Sequence, residues 1–227
     1  MARPSEPDTI RQRLAAYVPL FGLIVSTPRL TLQMPTDPEL VELLQVIEGG
    51  VHDPAFMPFR LGWTDVPAPQ RARESLSHWW GGRATWKPSD WQWTGAVHVD
   101  GQMVGVQDLM AQNFASLREV KTGSFLGLRH QGQGIGREMR AAILHLAFEG
   151  LGAERAFSGY LEGNEASKHV SESMGYVANG YTTGIVRGKP VREFHLVLER
   201  DAWESRRRDD IQIQGLDECL DLFGAAS

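Results

Sequence analysis

Between Gln131 and Arg137 the chain reads Gln-Gly-Gln-Gly-Ile-Gly-Arg, with glycine at alternate positions. The segment Glu119–Leu128 before it has the character of a strand. The segment Gly134–Glu149 after it carries Met139, Ala142, Ile143, Leu146 and Ala147 on one helical face, with Gly150 and Gly152 beyond its end. A strand, a glycine-rich turn and an amphipathic helix in that order restrict the local fold sharply. Glycines permit positive φ and close approach of backbone to a ligand. The first N–H groups of the helix and its positive dipole end then face that ligand, which favours phosphate. A helix entry that is merely rich in glycine is the plain alternative. Two nucleotide loops are excluded by spacing: a dinucleotide fingerprint needs glycine where Arg137 stands, and a Walker A loop needs Gly-Lys-Ser/Thr.

Around this unit, strands alternate with single helices. Ile10, Leu14, Tyr17 and Val18 recur at helical spacing from Asp8 to about Leu20, with Asp8 or Thr9 as N-cap, after a loose arm over residues 1–8. Leu20–Val25 and Leu30–Gln33 read as strands. Asp37 is expected to cap a helix with Pro38 at its first position and Leu40, Val41, Leu43, Leu44 and Ile47 on its apolar face. Val51–Pro69 is rich in Pro, Met, Phe and Trp without a clean period, the character of a binding loop. A helix follows over Gln70–Arg83, and Trp91–Val99 and Gln102–Met110 form a hairpin across Asp100-Gly101. Ala156–Leu161 is a short strand, Asn164–Met174 a helix, and Tyr176–Arg187 pairs with Val191–Leu198 across Gly188-Lys189-Pro190. The order predicts an α+β fold, a mixed sheet with helices on both faces.

Composition narrows the function. The 227 residues, 42% apolar and 22% charged, suit one globular domain with terminal additions. No apolar run approaches the roughly 20 residues of a membrane helix. The net charge is −5, and the run Arg206-Arg207-Arg208 is followed at once by Asp209-Asp210, which speaks against nucleic-acid binding by phosphate neutralisation. The single cysteine, Cys219, excludes an internal disulfide and a cysteine metal cluster; the seven histidines lack ligand spacing, so no metal is expected. The opening Met-Ala-Arg-Pro-Ser-Glu lacks the layout of a secretion signal, so the cytoplasm is the default.

Gln131, Gly134 and Gly136 fit the pattern Gln/Arg-x-x-Gly-x-Gly/Ala. About thirty residues on come Asn164, Ser167 and Gly175-Tyr176. Together these resemble the acyl-CoA pyrophosphate loop and the following helix of the GNAT (GCN5-related) N-acyltransferases. The resemblance spans about Thr27 to Arg200. Its end, Leu198–Trp203, is similar to the ribosomal-protein-acetyltransferase-like branch, and Gly50–Phe59 with Gly123–Leu128 is similar to an actinobacterial member that uses succinyl-CoA. It implies a mostly antiparallel twisted sheet in which the strand before the glycine loop splays from the next, usually at a bulge, to hold the CoA arm. Residues 27–200 would be the acyltransferase domain, 1–26 an arm and helix, and 201–227 an extension packing on the domain or on a partner subunit. The implied activity moves an acetyl or succinyl group directly from acetyl-CoA or succinyl-CoA to an amine on a protein or small molecule. A catalytically weak acyl-CoA sensor of the same fold is the alternative, and an interaction module built on the Trp-rich loop is a third reading. A homodimer or higher oligomer is left open through the amphipathic Leu216–Phe223.

The resemblance also distributes roles. Backbone amides of Gly132, Gln133, Gly134, Ile135, Gly136 and Arg137, with Gln131, would hold the diphosphate. An N–H at Leu126 or Leu128 would polarise the thioester carbonyl. Asn164 and Ser167 would bind the cofactor arm, or Asn164 would cap the helix, or both. Relatives often carry a Glu before the glycine loop, where this chain has Lys121 or Thr122; Glu119 is the substitute candidate for base, against an exposed strand carboxylate. Relatives often place a Tyr acid seven residues after the Asn, where this chain has Ser171, a poor acid. His52 and Asp53 would order the acceptor-side loop or touch the substrate, against a simple Asx turn. Arg60 would pair a succinyl carboxylate, or be a surface arginine.

Overall fold

The structure, a computed structural model, describes residues 6–226; of the expected loose arm, residues 1–5 lie outside them. Nine strands form one sheet in the order β7-β8-β6-β5-β4-β3-β2-β1-β9. In chain order these are β1 (Ile24–Ser26), β2 (Leu30–Gln33), β3 (Asp90–Val99), β4 (Gln102–Gln112), β5 (Glu119–Leu126), β6 (Arg155–Leu161), β7 (Val177–Val186), β8 (Lys189–Glu199) and β9 (Gln212–Gln214). All neighbours are antiparallel except β5 and β6. The helices are α1 (Glu6–Ala15), α2 (Asp37–Glu48), α3 (Ala68–Ala84), α4 (Phe114–Leu117), α5 (Ile135–His145), α6 (Glu165–Met174), α7 (Arg200–Glu204) and α8 (Leu220–Phe223).

Alternation along the strands divides the interior into two layers. On one face α5 packs Met139, Ala142 and Ile143, with Leu146 just past its end, against Leu109, Val120 and Ala156. On the other, Leu40, Leu43 and Ile47 of α2 and Trp79 of α3 cover Ala96 and Val106. Hairpin β3–β4 turns through Asp100 and Gly101 at φ 50° and 76°, as an Asp-Gly pair favours.

Several boundaries differ from the sequence reading. α1 begins at Glu6, before Asp8, and ends at Ala15; the apolar Pro19–Phe21 forms a 3₁₀ turn, leaving only Ile24–Ser26 as strand. The α2 cap is Thr36, not Asp37: its backbone N–H and its hydroxyl both donate to Glu39 Oε2, at 2.6 and 2.7 Å. The β7–β8 turn is Arg187-Gly188, both at positive φ, so Lys189 and Pro190 are already strand. β5 stops at Leu126, and Leu128 falls in a 3₁₀ turn over Leu128–His130.

The feature that positions the site is the partial pairing of β5 with β6. Their ladder has three rungs, Glu119↔Arg155, Val120↔Ala156 and Lys121↔Phe157, and ends there. β6 continues alongside β8 to Leu161, and β5 alongside β4 to Leu126. The two strands therefore part beyond Lys121 and Phe157. β5 keeps unbroken register with β4; the register shift lies one strand away, between β3 and β4 at Val97/His98, so the opening needs no bulge in β5.

Candidate active site

Amide direction along β5 follows from one bond. Gly127 N–H donates to Val104 O at 2.9 Å, which fixes the antiparallel alternation. The amides of Lys121, Gly123 and Phe125 then point to β4, and those of Ser124 and Leu126 point into the opening. Leu128 offers nothing comparable, because its N–H donates to Gly50 O at 2.9 Å. That half of the oxyanion expectation is corrected.

At the mouth of the opening lies the glycine loop. Gly132 and Gly134 take φ of 73° and 79°, and Gly134 is the N-cap of α5. These left-handed conformations turn consecutive amides to one side of the chain. Among the described residues, the N–H groups of Gly132, Gln133, Gly134, Ile135 and Gly136 donate to no protein acceptor, and they stand at the positive end of an eleven-residue helix. Arg137 N–H, by contrast, returns to Gly134 O at 3.2 Å. Gln131 has a bracing role instead of a ligand-facing one: its N–H goes to Leu128 O, and its side-chain amide donates to Val51 O and Leu126 O at 2.8 and 3.0 Å. Gln133 braces the loop similarly through Arg129 O.

The loop is also held from β1–β2. Glu138, in the first turn of α5, accepts from Thr27 Oγ1 at 2.5 Å and from Arg29 Nε at 2.6 Å. Burial works against its charge, but these two partners outweigh it and hold the carboxyl below its ordinary range. Arg29, half exposed, thereby sits beside Gly134 with its Nη1 3.3 Å from Gln133 O, a cation at the loop that sequence spacing did not disclose. Asn164 caps α6, its Oδ1 accepting from Ser167 N–H at 3.1 Å.

Beneath the opening, on the α5 face, is a polar layer. Arg140, 4% exposed, reaches Ser158 Oγ of β6 at 3.0 Å with Nη1, Ser124 Oγ of β5 at 3.4 Å with Nη2, and Gln107 Oε1 of β4 at 3.5 Å with Nε. Ser171 is 0% exposed and Tyr176 is buried, and among the described residues neither hydroxyl meets a hydrogen-bond partner. A thiolate acid at Ser171 has no support in this geometry, because nothing orients its proton.

On the opposite face a groove of about 530 Å³ is lined by Thr85, Gln92, Met110, Glu119, Lys121 and Phe157 among others. Its wall thus includes the last rung before the strands part. Glu119 is there, but ion-paired to Arg155. The irregular segment before α3 covers the open end: Phe59, Trp63 and Phe125 pack in a tilted series with centroids 5.2 and 5.5 Å apart. His52 orders that segment, its Nε2 2.7 Å from Thr64 Oγ1 and its ring edge-on to Phe59. Asp53 Oδ1 accepts from Ala55 N–H, the Asx turn. Arg187 ties the same segment to the β7–β8 hairpin through a two-pronged pair with Asp65 at 2.8 and 2.6 Å. Arg60 is 73% exposed, with its nearest carboxylate, Glu193, at 3.7 Å; it is a surface arginine and not an enclosed anion receptor.

The acetyltransferase (GNAT) domain profile matches residues 29–177. The chain belongs to the GNAT acetyltransferase family. Its fold is shared with solved structures of low identity. RimL, the ribosomal L7/L12 α-N-protein acetyltransferase, in complex with coenzyme A, is 16% identical, with a TM-score of 0.63 over 79% of this chain and 99% of the other. RimJ of Mycobacterium smegmatis, solved with CoA-disulfide, is 15% identical, with a TM-score of 0.66 over 88% and 93%. A chimeric spermidine N-acetyltransferase SpeG from Vibrio cholerae and hSSAT is 15% identical, with a TM-score of 0.61 over 78% and 99%. Acceptors as different as a ribosomal protein and a polyamine therefore sit on this one GNAT fold.

Proposed function

We propose that this GNAT protein transfers a short acyl group from a CoA thioester directly to an amine. The observation that carries the reading is the parting of β5 from β6 with unused amides at both levels: Gly132–Gly136 at the mouth, and Ser124 and Leu126 within. A diphosphate suits the first set and a pantetheine amide or thioester carbonyl the second. An arm entering at the glycine loop and running toward the last rung brings its acyl end beside the groove that holds Lys121 and Phe157. The amine then arrives from the α3 face. An alkyl amine is mostly protonated at neutral pH, and freeing it costs roughly 4 kcal/mol; Glu119, at the groove wall, takes that proton directly or through water. In this reading residues 27–200 are the acyltransferase unit, 201–227 is its extension, and the cytoplasm is the expected compartment.

Acetyl-CoA is the donor this reading favours, with succinyl-CoA tested beside it, since exposed Arg60 supplies no enclosed site for a second carboxylate. Calorimetry with both thioesters, followed by thiol release in the presence of peptide N-termini and polyamines, tests the reading. Micromolar binding with amine-dependent release is expected; failure to bind either thioester would overturn it. The missing acid at Ser171 gives the sensor reading its one foothold. Binding without release to any amine would decide for the sensor.

A further inference from the structure

Arg140 is a buried cation for which the structure provides no anion. Among the described residues no carboxylate lies within 4 Å of its guanidinium, and its hydrogen-bond partners are three neutral side chains, each at 3.0 Å or longer. The elements that touch it contribute neutral groups: Gln107 from β4, Ser124 from β5 and Ser158 from β6. The Tyr176 phenol, just before β7, lies beside the guanidinium; burial pushes it above its ordinary range, against the opposing pull of Arg140 and Thr122. An unpaired charge in such a place is costly and is tolerated where a bound anion completes it.

Its position identifies the anion. Nη1 touches β6 at Ser158, one residue past the last rung, and Nη2 touches β5 at Ser124, whose own amide faces the opening. The guanidinium therefore straddles the gap where the two strands part. Resting on the proposed transferase reading, we infer that Arg140 holds the thiolate that leaves when the amine attacks. In that step the amine nitrogen forms a bond to the thioester carbonyl carbon, and the carbon–sulfur bond breaks with its electron pair passing to sulfur. The amine's proton leaves to the base or to water. Arg140 keeps its own protons throughout and stabilises the sulfur as an anion. Electrostatic stabilisation so placed replaces proton delivery, which matches a chain whose Ser171 hydroxyl has no partner to orient it.

The test is the titration of free CoA bound to the full chain, followed by thiolate ultraviolet absorbance. The protein's own Cys219, pushed up to about 11 by burial and the nearby Glu218, is subtracted from a blank. The bound thiol is expected to ionise at least about one unit below the ordinary value of ~8.5. Arg140→Met should return it to or above that value and lower kcat by a factor on the order of 100. Arg140→Lys should keep part of the shift, and Ser171→Ala should leave both quantities within about twofold of the parent. Desulfo-CoA should bind the parent and Arg140→Met alike. A bound thiol ionising at or above ~8.5 in the parent overturns the inference, and that measurement needs no variant to fold. So does a selective loss of succinyl-CoA affinity in Arg140→Met with thiol ionisation unchanged, which would make Arg140 an acyl-carboxylate receptor. If desulfo-CoA binds the parent while the thiol stays unshifted, only this inference falls. If desulfo-CoA does not bind, the transferase reading falls and takes this inference with it.

Discussion

At the scale of single residues, charge and backbone angle decide more than side-chain identity. Gly134 tolerates φ of 79° and leaves its amide facing outward beside Arg29. Gly134→Asp puts a β-carbon at a strained angle and a carboxylate where the diphosphate is proposed to bind. CoA affinity should fall by a factor on the order of 100, since like charges in contact cost several kcal/mol; calorimetry showing unchanged affinity would displace the diphosphate from this loop. Asp108 makes a separate electrostatic statement. Burial pushes its carboxyl from 3.8 up to about 6, against the opposing pull of Thr94, His78 and Gln92. The folded chain therefore keeps a proton that the unfolded chain has lost between about pH 4 and 6, and stability falls as pH rises through that window. Asp108→Asn removes this penalty. Urea unfolding should show a gain on the order of 2 kcal/mol at pH 7.5 and almost none at pH 4; an equal change at both pH values would refute the titration. The carboxylate and Arg140 both escaped sequence reading because burial of a charge is a property of the sheet's two faces, and periodicity does not report which charge lies beneath a gap.

At the scale of elements, the legible parts are those whose signal is local. The α5 stripe, the Asp100-Gly101 hairpin and the glycine loop each carry their geometry in a few adjacent residues, and each forms where expected. Leu20–Phe21 misled because short apolar runs do not distinguish a strand from a buried turn. Leu128 misled because the strand's end is set by Gly50, a residue far away in sequence that takes its N–H. The α6 terminus combines both cases. Asn164 is legible as a cap, and its Oδ1 is committed to Ser167 N–H. Asn164→Ala should cost about 1 kcal/mol in thermal or chemical unfolding. Asn164→Asp retains the cap and should restore that loss. If the side chain also touches CoA, the aspartate would recover stability while affinity stays reduced. Equal recovery of both would confine Asn164 to capping.

At the scale of the molecule, the family match ends at residue 177 while the core does not. β9 extends the sheet beyond β1, with Ile213 opposite Val25. Phe223 is 0% exposed and sits edge-on to Trp91 at 4.8 Å between ring centroids. Trp86 and Trp91 donate their indole N–H groups to Leu222 O and Phe223 O at 2.9 and 3.0 Å, satisfying polar edges that a shorter chain would leave buried and unpaired. The amphipathic Leu216–Phe223 piece thus covers this chain's own interior, and its apolar side is not free for a second subunit. α4 and the start of β5 connect that cluster to the groove, through Phe114 on one side and Leu117 and Glu119 on the other. Phe223→Ala removes a ring that nothing else can replace and should cost about 3–5 kcal/mol, a large part of a typical domain's 5–15 kcal/mol. The melting temperature should drop accordingly, and deletion of residues 212–227 should abolish the cooperative transition. A truncated chain that still melts cooperatively near the parent temperature would show the tail to be an appendage. The glycine loop proposed to meet CoA lies at the opposite end of β5, so the Phe223→Ala protein, wherever it remains folded, should bind CoA with nearly parental affinity.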